Sequence, residues 1–385
     1  GSRNERPGIT GIAHLFEHMM FKGSKNLGPE KHAQEVMKIG GQLNAYTTHD
    51  ATVYYENVAA QNFDAILALE AERFQHLDLS KKMLESEREV VKEERRMRTD
   101  NSPSGKLIEA FFAAAYKVHN YRWPVVGWMK DLNTINLKDC QEFFNTHYNP
   151  KNITVIVVGA IDHATVFARV KHHFGQWQAQ PRTEPKAQVE PDLTTRREEI
   201  VRFATNTPLL LGGWKVPAAK HKDIVALKLL GKILSDGASS RMYRDLVYTK
   251  ELAQYAAGDV LTQVDNSQFY LWAAARPSVN IDSVESAMLE VVERVKSEGV
   301  TTKELDRAKA QAESESVGRL KKAHGIAGLL GWSLMYHGDW RPALTELDRL
   351  RAVSAADVQR VAQHYLSKDR ITVVKLLPEN KEDTP

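Results

Sequence analysis

The residues best equipped for chemistry lie in one short run, HLFEH from His14 to His18, inside the apolar stretch GIAHLFEHMMFKG. A helix turns about 100° per residue, so His14 and His18 project from one face, one turn apart. That separation suits two imidazoles on one tetrahedral Zn²⁺ at roughly 2.0–2.1 Å each. Glu17 lies on the same side, close enough to act on a water there. The plainer alternative is three satisfied polar side chains that share a helix, and the motif alone leaves both open. A second, acidic helix bears on the choice. A catalytic zinc takes three protein ligands and keeps a fourth position open. Glu87 and Glu94 in ESEREVVKEE are seven residues apart, two helical turns, and share a face. A Glu-rich helix is ordinarily a solvated face. Here Val90 and Val91 lie between the two acids, which predicts partial burial of that face. A buried carboxylate needs a partner, and a metal is one.

These residues need elements to hold them. Residues 10–22 read as a helix, apolar at Ile12, Leu15, Phe16, Met19 and Met20 and stopped by Gly23. KHAQEVMKIGG is a second helix, and the alternating QLNAYTTHDATVYYENV suggests paired strands. Two more helices follow, the one carrying Glu87 and Glu94 opened by Ser80 as N-cap. NITVIVVGAID is expected to be a buried strand, followed by a helix over HATVFARVKHHFGQW. The proline-containing, charge-alternating segment after it is expected to be a linker. The expected organisation is a zinc-binding catalytic domain over 1–178, a linker over 179–200, and a homologous domain without the zinc motif over 201–385. In that second half PLLLGGWKV, DNSQFYLWAAARP and RITVVKLLPE read as strands, with helices between them. Two segments repeat across the halves: Ser80 onward aligns with Thr301 onward, and HLFEHMM with KLLGKIL from Lys228. A duplicated domain explains both. Where the first half has His14, Glu17 and His18, the second has Lys228, Gly231 and Lys232, so the polar triad is not repeated.

Composition narrows the function. With 385 residues, two domains are the expectation. A formal net charge of +3, with basic and acidic residues interleaved, gives no footprint for nucleic acid. No apolar run approaches the roughly 18 residues that span a bilayer. The single cysteine, Cys140, excludes an internal disulfide and a thiolate-rich metal cluster. The chain opens at GSRNERPG with no signal-like segment, which leaves the compartment open; a bacterial periplasm is weakly favoured.

HxxEH followed by a distant Glu resembles the inverted-zincin metallopeptidases. More specifically, the chain resembles the family of pitrilysin, insulin-degrading enzyme and the mitochondrial processing peptidase. That family's GxAHxxEHMxFKG stands here as GIAHLFEHMMFKG, and its LNAxTxxDxTxY as LNAYTTHDATVY from Leu43 to Tyr54. Its third ligand follows the second His by about 75 residues; Glu94 follows His18 by 76, and Glu87 matches the other acid of that helix. YRWPVVGWMKDLNTI and NPKNITVIVVGAID also fit. The family's usual opening strand has no counterpart before GSRNE.

The resemblance implies an α+β fold of two similar domains, each an antiparallel sheet with helices packed mainly on one face. It implies zinc held by His14, His18 and Glu94, with Glu17 as general base and Glu87 orienting a ligand histidine. It implies peptide docking at an exposed strand edge through Asn44 and Ala45. His49 is not expected to be a ligand. Active single-chain relatives carry an Arg and, seven residues on, a Tyr that contact the substrate carbonyl. Here Tyr255 matches the Tyr, but Tyr248 takes the Arg position, with Arg241 and Arg244 off register. The expectation is therefore a zinc endopeptidase acting on unfolded peptides, the metal-bearing half of a heterodimer whose homologous partner carries the Arg/Tyr pair. A homodimer, a non-catalytic structural subunit and a zinc hydrolase of another substrate are the rivals.

Overall fold

The computed structural model describes residues 1–181 and 188–379. In chain order the main elements are α1 (Ile12–Met19), α2 (Lys31–Lys38), β1 (Gln42–Thr47), β2 (Thr52–Asn57), α3 (Phe63–His76), α4 (Lys81–Arg95), α5 (Pro103–Ala115), α6 (Met129–Thr134), α7 (Leu137–His147) and α8 (His163–Phe174). The second half adds β3 (Arg197–Phe203), β4 (Leu209–Val216), α9 (Ile224–Ser235), β5 (Ala253–Leu261), β6 (Ser267–Ala275), α10 (Ile281–Glu298), α11 (Thr302–Leu320), α12 (Ala323–His337), α13 (Glu346–Ala352), α14 (Ala355–Tyr365) and β7 (Thr372–Pro378). They form two compact units. The first holds Gly1–Met97, His119–Val189 and Lys322–Gly328; the second holds Arg98–Val118, Glu190–Lys321 and Leu329–Pro385. Residues 182–187 of the expected linker lie outside the described residues, and β3 begins at Arg197.

In the first unit the apolar positions of α1 do what their spacing predicts. Ile12, Leu15, Phe16 and Met19 are fully buried against Met83, Leu84 and Val91 of α4, with Leu132, Cys140 and Phe143 closing the core. Val91 is buried as expected on the acid-bearing side of α4, but Val90 is 46% exposed, so the two valines split between core and solvent. β1 and β2 form an antiparallel hairpin, pairing Leu43 with Glu56, Ala45 with Tyr54 and Thr47 with Thr52.

The expected buried strand in NITVIVVGAID does not form. Residues 153–158 carry no ladder, and Val155 and Ile156 are 41% and 37% exposed. A β-prone run becomes a strand only where another strand satisfies its N–H and C=O groups. No strand among the described residues pairs with this one.

In the second unit the strand order is β3-β7-β4-β6-β5, antiparallel except for the parallel β3–β7 pair. β4 is buried on both faces. Leu210, Trp214 and Val216 join the core formed with α9, α10, α11 and α14, while Leu209 and Leu211 pack under Leu107 and Phe111 of α5. That explains the unbroken apolar LLLGGW run. A Cβ on Gly213 would lie 2.3 Å from the Phe111 ring, so glycine there lets α5 close on the sheet. Among the described residues, helices therefore crowd one face, as expected, with α5 alone on the other.

Candidate active site

The metal motif rides on α1, whose start is fixed by contacts outside the helix. Gly11 adopts φ +90°, and a Cβ there would meet the Val126 carbonyl oxygen at 2.4 Å. Glu5 accepts hydrogen bonds from the Gly11 N–H (3.0 Å) and the Ala13 N–H (2.9 Å), two donors that the first turn leaves unsatisfied. Burial pushes its carboxyl up to about 8, against the pull of those two N–H groups. The Thr10 hydroxyl donates to Asp131 at 2.6 Å and anchors the same end. Nothing in sequence marks Glu5, because its partners lie six and eight residues away in a loop geometry without a motif. The facing helix, α4, starts at Ser80, whose Oγ accepts from the Met83 N–H as expected of an N-cap.

Between these helices the three expected ligands converge. Glu94 Oε2 lies 3.7 Å from His14 Nε2 and 3.2 Å from His18 Nε2. A tetrahedral ion with bonds of roughly 2.0–2.1 Å sets its ligand atoms about 3.3 Å apart. A direct charge-assisted N–H···O bond would close to about 2.7–2.9 Å. The observed spacing fits the edges of a metal polyhedron better than a hydrogen bond, and the donor set of two imidazole nitrogens and one carboxylate suits zinc.

Glu87 is buried beside this group. Its Oε2 is 3.9 Å from Nδ1 of His18, the ring nitrogen turned away from Glu94, and its Oε1 is 3.6 Å from Lys22 Nζ. It therefore flanks the histidine from behind. Glu17 projects to β1, where the Thr47 hydroxyl donates to its Oε2 at 2.5 Å. Thr47 was the residue overlooked in sequence, although the LNAYT run contained it.

Among the described residues β1 pairs on one edge only, with β2. The Ala45 N–H, pointing away from β2, donates to the Asn44 side-chain oxygen at 2.8 Å. Asn44 thus holds the place a peptide carbonyl would take. His49 lies in the turn after β1 rather than in the strand. It packs edge-on against Tyr121, burial lowers it to about 4, and among the described residues it joins no cluster of ligands.

The remaining expected residues belong to the second unit. Tyr255 stands 57% exposed on edge strand β5, and Tyr248 is 76% exposed. Arg244 is exposed, whereas Arg241 is committed: its Nε and Nη2 meet the Glu304 carboxylate at 2.7 and 2.8 Å, and Nη2 also donates to the Gly299 carbonyl at 2.9 Å. The repeat extends to the metal position. Glu315 in α11 stands where Glu94 stands in α4, counted from the caps Thr301 and Ser80. Lys232, at the place of His18, donates to Glu315 at 2.6 Å and to Asp236 at 3.2 Å.

Known proteins resemble this chain over nearly its whole length. Residues 1–127 match the family model "Insulinase (Peptidase family M16)", and residues 134–312 match "Peptidase M16 inactive domain". The zinc protease PqqE of Helicobacter pylori is 35% identical over 98% of this chain and 86% of its own length. An uncharacterized zinc protease, YmxG of Bacillus subtilis, is 26% identical over 96% of this chain and 89% of its own. The crystal structure of a protease from Helicobacter pylori superposes with a TM-score of 0.95 at 35% identity, covering 98% of this chain and 92% of that one. A peptidase M16 inactive domain from Pseudomonas fluorescens shares the fold, with a TM-score of 0.89 at 16% identity, covering 99% of this chain and 90% of that one. With its histidine–glutamate helix in the first unit and a repeat lacking that motif in the second, the chain belongs to peptidase family M16.

Proposed function

We propose that this chain is a zinc-dependent endopeptidase that hydrolyses unfolded peptides in extended form, and that it is the metal-bearing subunit of a two-chain peptidase. The convergence of His14, His18 and Glu94 beside Glu17 carries the proposal. Zinc held by those three residues would supply a Lewis acid that polarises the scissile carbonyl and makes water acidic near neutral pH. Glu17 accepts the proton of the attacking water and delivers it to the leaving amine nitrogen. The Thr47 hydroxyl fixes the orientation of that carboxylate relative to β1. Glu87, behind Nδ1 of His18, orients the imidazole. A peptide adding to the open edge of β1 takes the Ala45 N–H from Asn44, so main-chain bonds hold it and sequence preference is broad.

The partner follows from the second unit. Tyr248 offers a single phenol hydroxyl in place of a guanidinium's fixed positive charge and forked donors at a developing oxyanion. Arg241 is tied to Glu304. A homologous chain carrying the Arg/Tyr pair would complete the site; Arg244 in a homodimer is the rival. The test is metal content together with cleavage of a quenched peptide, with the partner supplied. Glu17→Gln should keep one zinc and lose about 10²–10⁴ in turnover. His14→Ala and Glu94→Ala should lose zinc and activity together. Near-normal turnover by Glu17→Gln, or a full zinc equivalent in His14→Ala, would overturn the assignment, and zinc without turnover in any combination would leave a structural subunit.

A further inference from the structure

The outer face of the β1–β2 hairpin carries a cluster that the metal chemistry does not use. Paired residues share a face, so Asn44 and Tyr46 stand with Tyr55 and Val53, opposite the side of Ala45, Thr47 and Glu17. The rings of Tyr46 and Tyr55 are 6.4 Å apart, and the Tyr55 ring meets the His324 imidazole at 4.2 Å. His324 opens α12 and is exposed, within the Lys322–Gly328 segment that the second half of the chain contributes to the first unit. Two half-buried phenols, one from each strand of the hairpin, and an exposed imidazole are thus grouped on one face of it.

We propose that Tyr46, Tyr55 and His324 form a subsite that selects an aromatic side chain in a peptide lying along β1. The subsite presupposes the edge docking proposed above. An extended peptide alternates its side chains between the two faces of the hairpin. Those on the Thr47 side meet Glu17, and those on the other side lie over Tyr46, Tyr55 and His324. Asn44 and its partner Tyr55 are three residues along the strand from Thr47, about 10 Å at roughly 3.3 Å per residue. An odd separation puts the selected side chain on the outer face, about three residues from the one beside Glu17. The chemistry favours a ring: edge-to-face and offset stacking against three rings adds to plain area burial, which is all that an aliphatic chain gains.

The test uses the zinc-loaded full chain with Glu17→Gln, so that peptides bind without being cut. Fluorescent seven-residue peptides that differ only by Phe or Ala at one position are compared by anisotropy. At one position Phe should bind about tenfold more tightly than Ala. Adding His324→Ala or Tyr55→Leu should bring that ratio close to one. Equal binding of Phe and Ala at every position, or a tenfold ratio unchanged by both substitutions, overturns the subsite while edge docking stands. Failure of every peptide to bind overturns the docking and the subsite with it. Zinc content and circular dichroism of each variant identify a misfolded protein, and two substitutions on separate elements keep the test decisive if one misfolds.

Discussion

His32, Glu56 and Glu70 gather a nitrogen and two oxygens as closely as His14, His18 and Glu94 do, yet a side chain already supplies their cation. Arg73 Nη2 lies 3.0 Å from Glu56 and 2.6 Å from Glu70, and its guanidinium packs 4.8 Å from the Tyr54 ring and 4.9 Å from the Phe21 ring. A divalent ion would have to share that space with a fixed positive charge. Burial pushes Glu56 up to about 7, helped by the Glu70 charge. For Glu70, burial acts upward, but the Arg73 charge together with the His32 hydrogen bond and charge outweighs it and holds it at about 2. Because Glu56 is raised above the usual carboxylate value of 4.5, its contribution to stability is full below that value and is lost as pH rises through about 7. The melting temperature should therefore fall between pH 5 and 8, with a smaller fall in Glu56→Gln. His32→Ala should keep one zinc. Zinc loss in His32→Ala, or a second tightly held equivalent in the unaltered chain, would contradict this. Residue identity at the first cluster was legible because HLFEH is contiguous and Glu94 sits at a countable distance. Glu5 and His324 were not, since each acts through a contact that only the folded chain creates.

Among the elements, the start of α11 shows how an arginine can look catalytic in sequence and be structural in place. Thr301 and Glu304 form a reciprocal cap, and Arg241 clamps the outer side of the same carboxylate. The Arg241 bond holds Glu304 down at about 2. A lowered carboxylate contributes stability that is present above 4.5 and lost as pH falls through about 2. Arg241→Ala should cost about 1 kcal/mol, since the pair is partly solvated, and should shift acid unfolding to higher pH. Denaturant titrations at pH 7 and pH 3 would show it; an unchanged midpoint at both would remove the clamp from the account. Element type was readable wherever periodicity was long, as in α4 and α11. It failed at 153–158, where β-branched residues gave strand propensity but the ladder partner is a property of the fold. Strand β3 was hidden for the related reason that REEIVRF is too charged to read as a sheet strand, although β7 alongside it supplies the apolar core.

For the whole molecule, the repeat was visible as matched helices, but its two units are not simple halves of the sequence. Residues 98–118 serve the second unit, and 322–328 the first. No helix among the described residues is long and apolar enough to cross a membrane. The proposed division of labour makes a kinetic prediction at this scale. An oxyanion stabiliser is worth about 10²–10³ in rate, so the isolated chain should turn over slowly and gain that factor when a homologous chain carrying the Arg/Tyr pair is added. Rapid cleavage by the chain alone, abolished by Arg244→Ala, would instead favour a homodimer.

The pairing of Lys232 with Glu315 bears on inheritance. Where one copy of the duplicated cradle faces its acid with two imidazoles, the other faces it with an ammonium group on its own backbone. A tethered cation has no dissociation constant: dilution cannot remove it, nor can a chelator, nor scarcity of metal in the environment. The second copy is thus released from dependence on an outside supply, and with that release goes any capacity for hydrolytic chemistry at that position. One repeated plan thus sets an acid opposite two imidazoles in one half and opposite a permanent cation in the other.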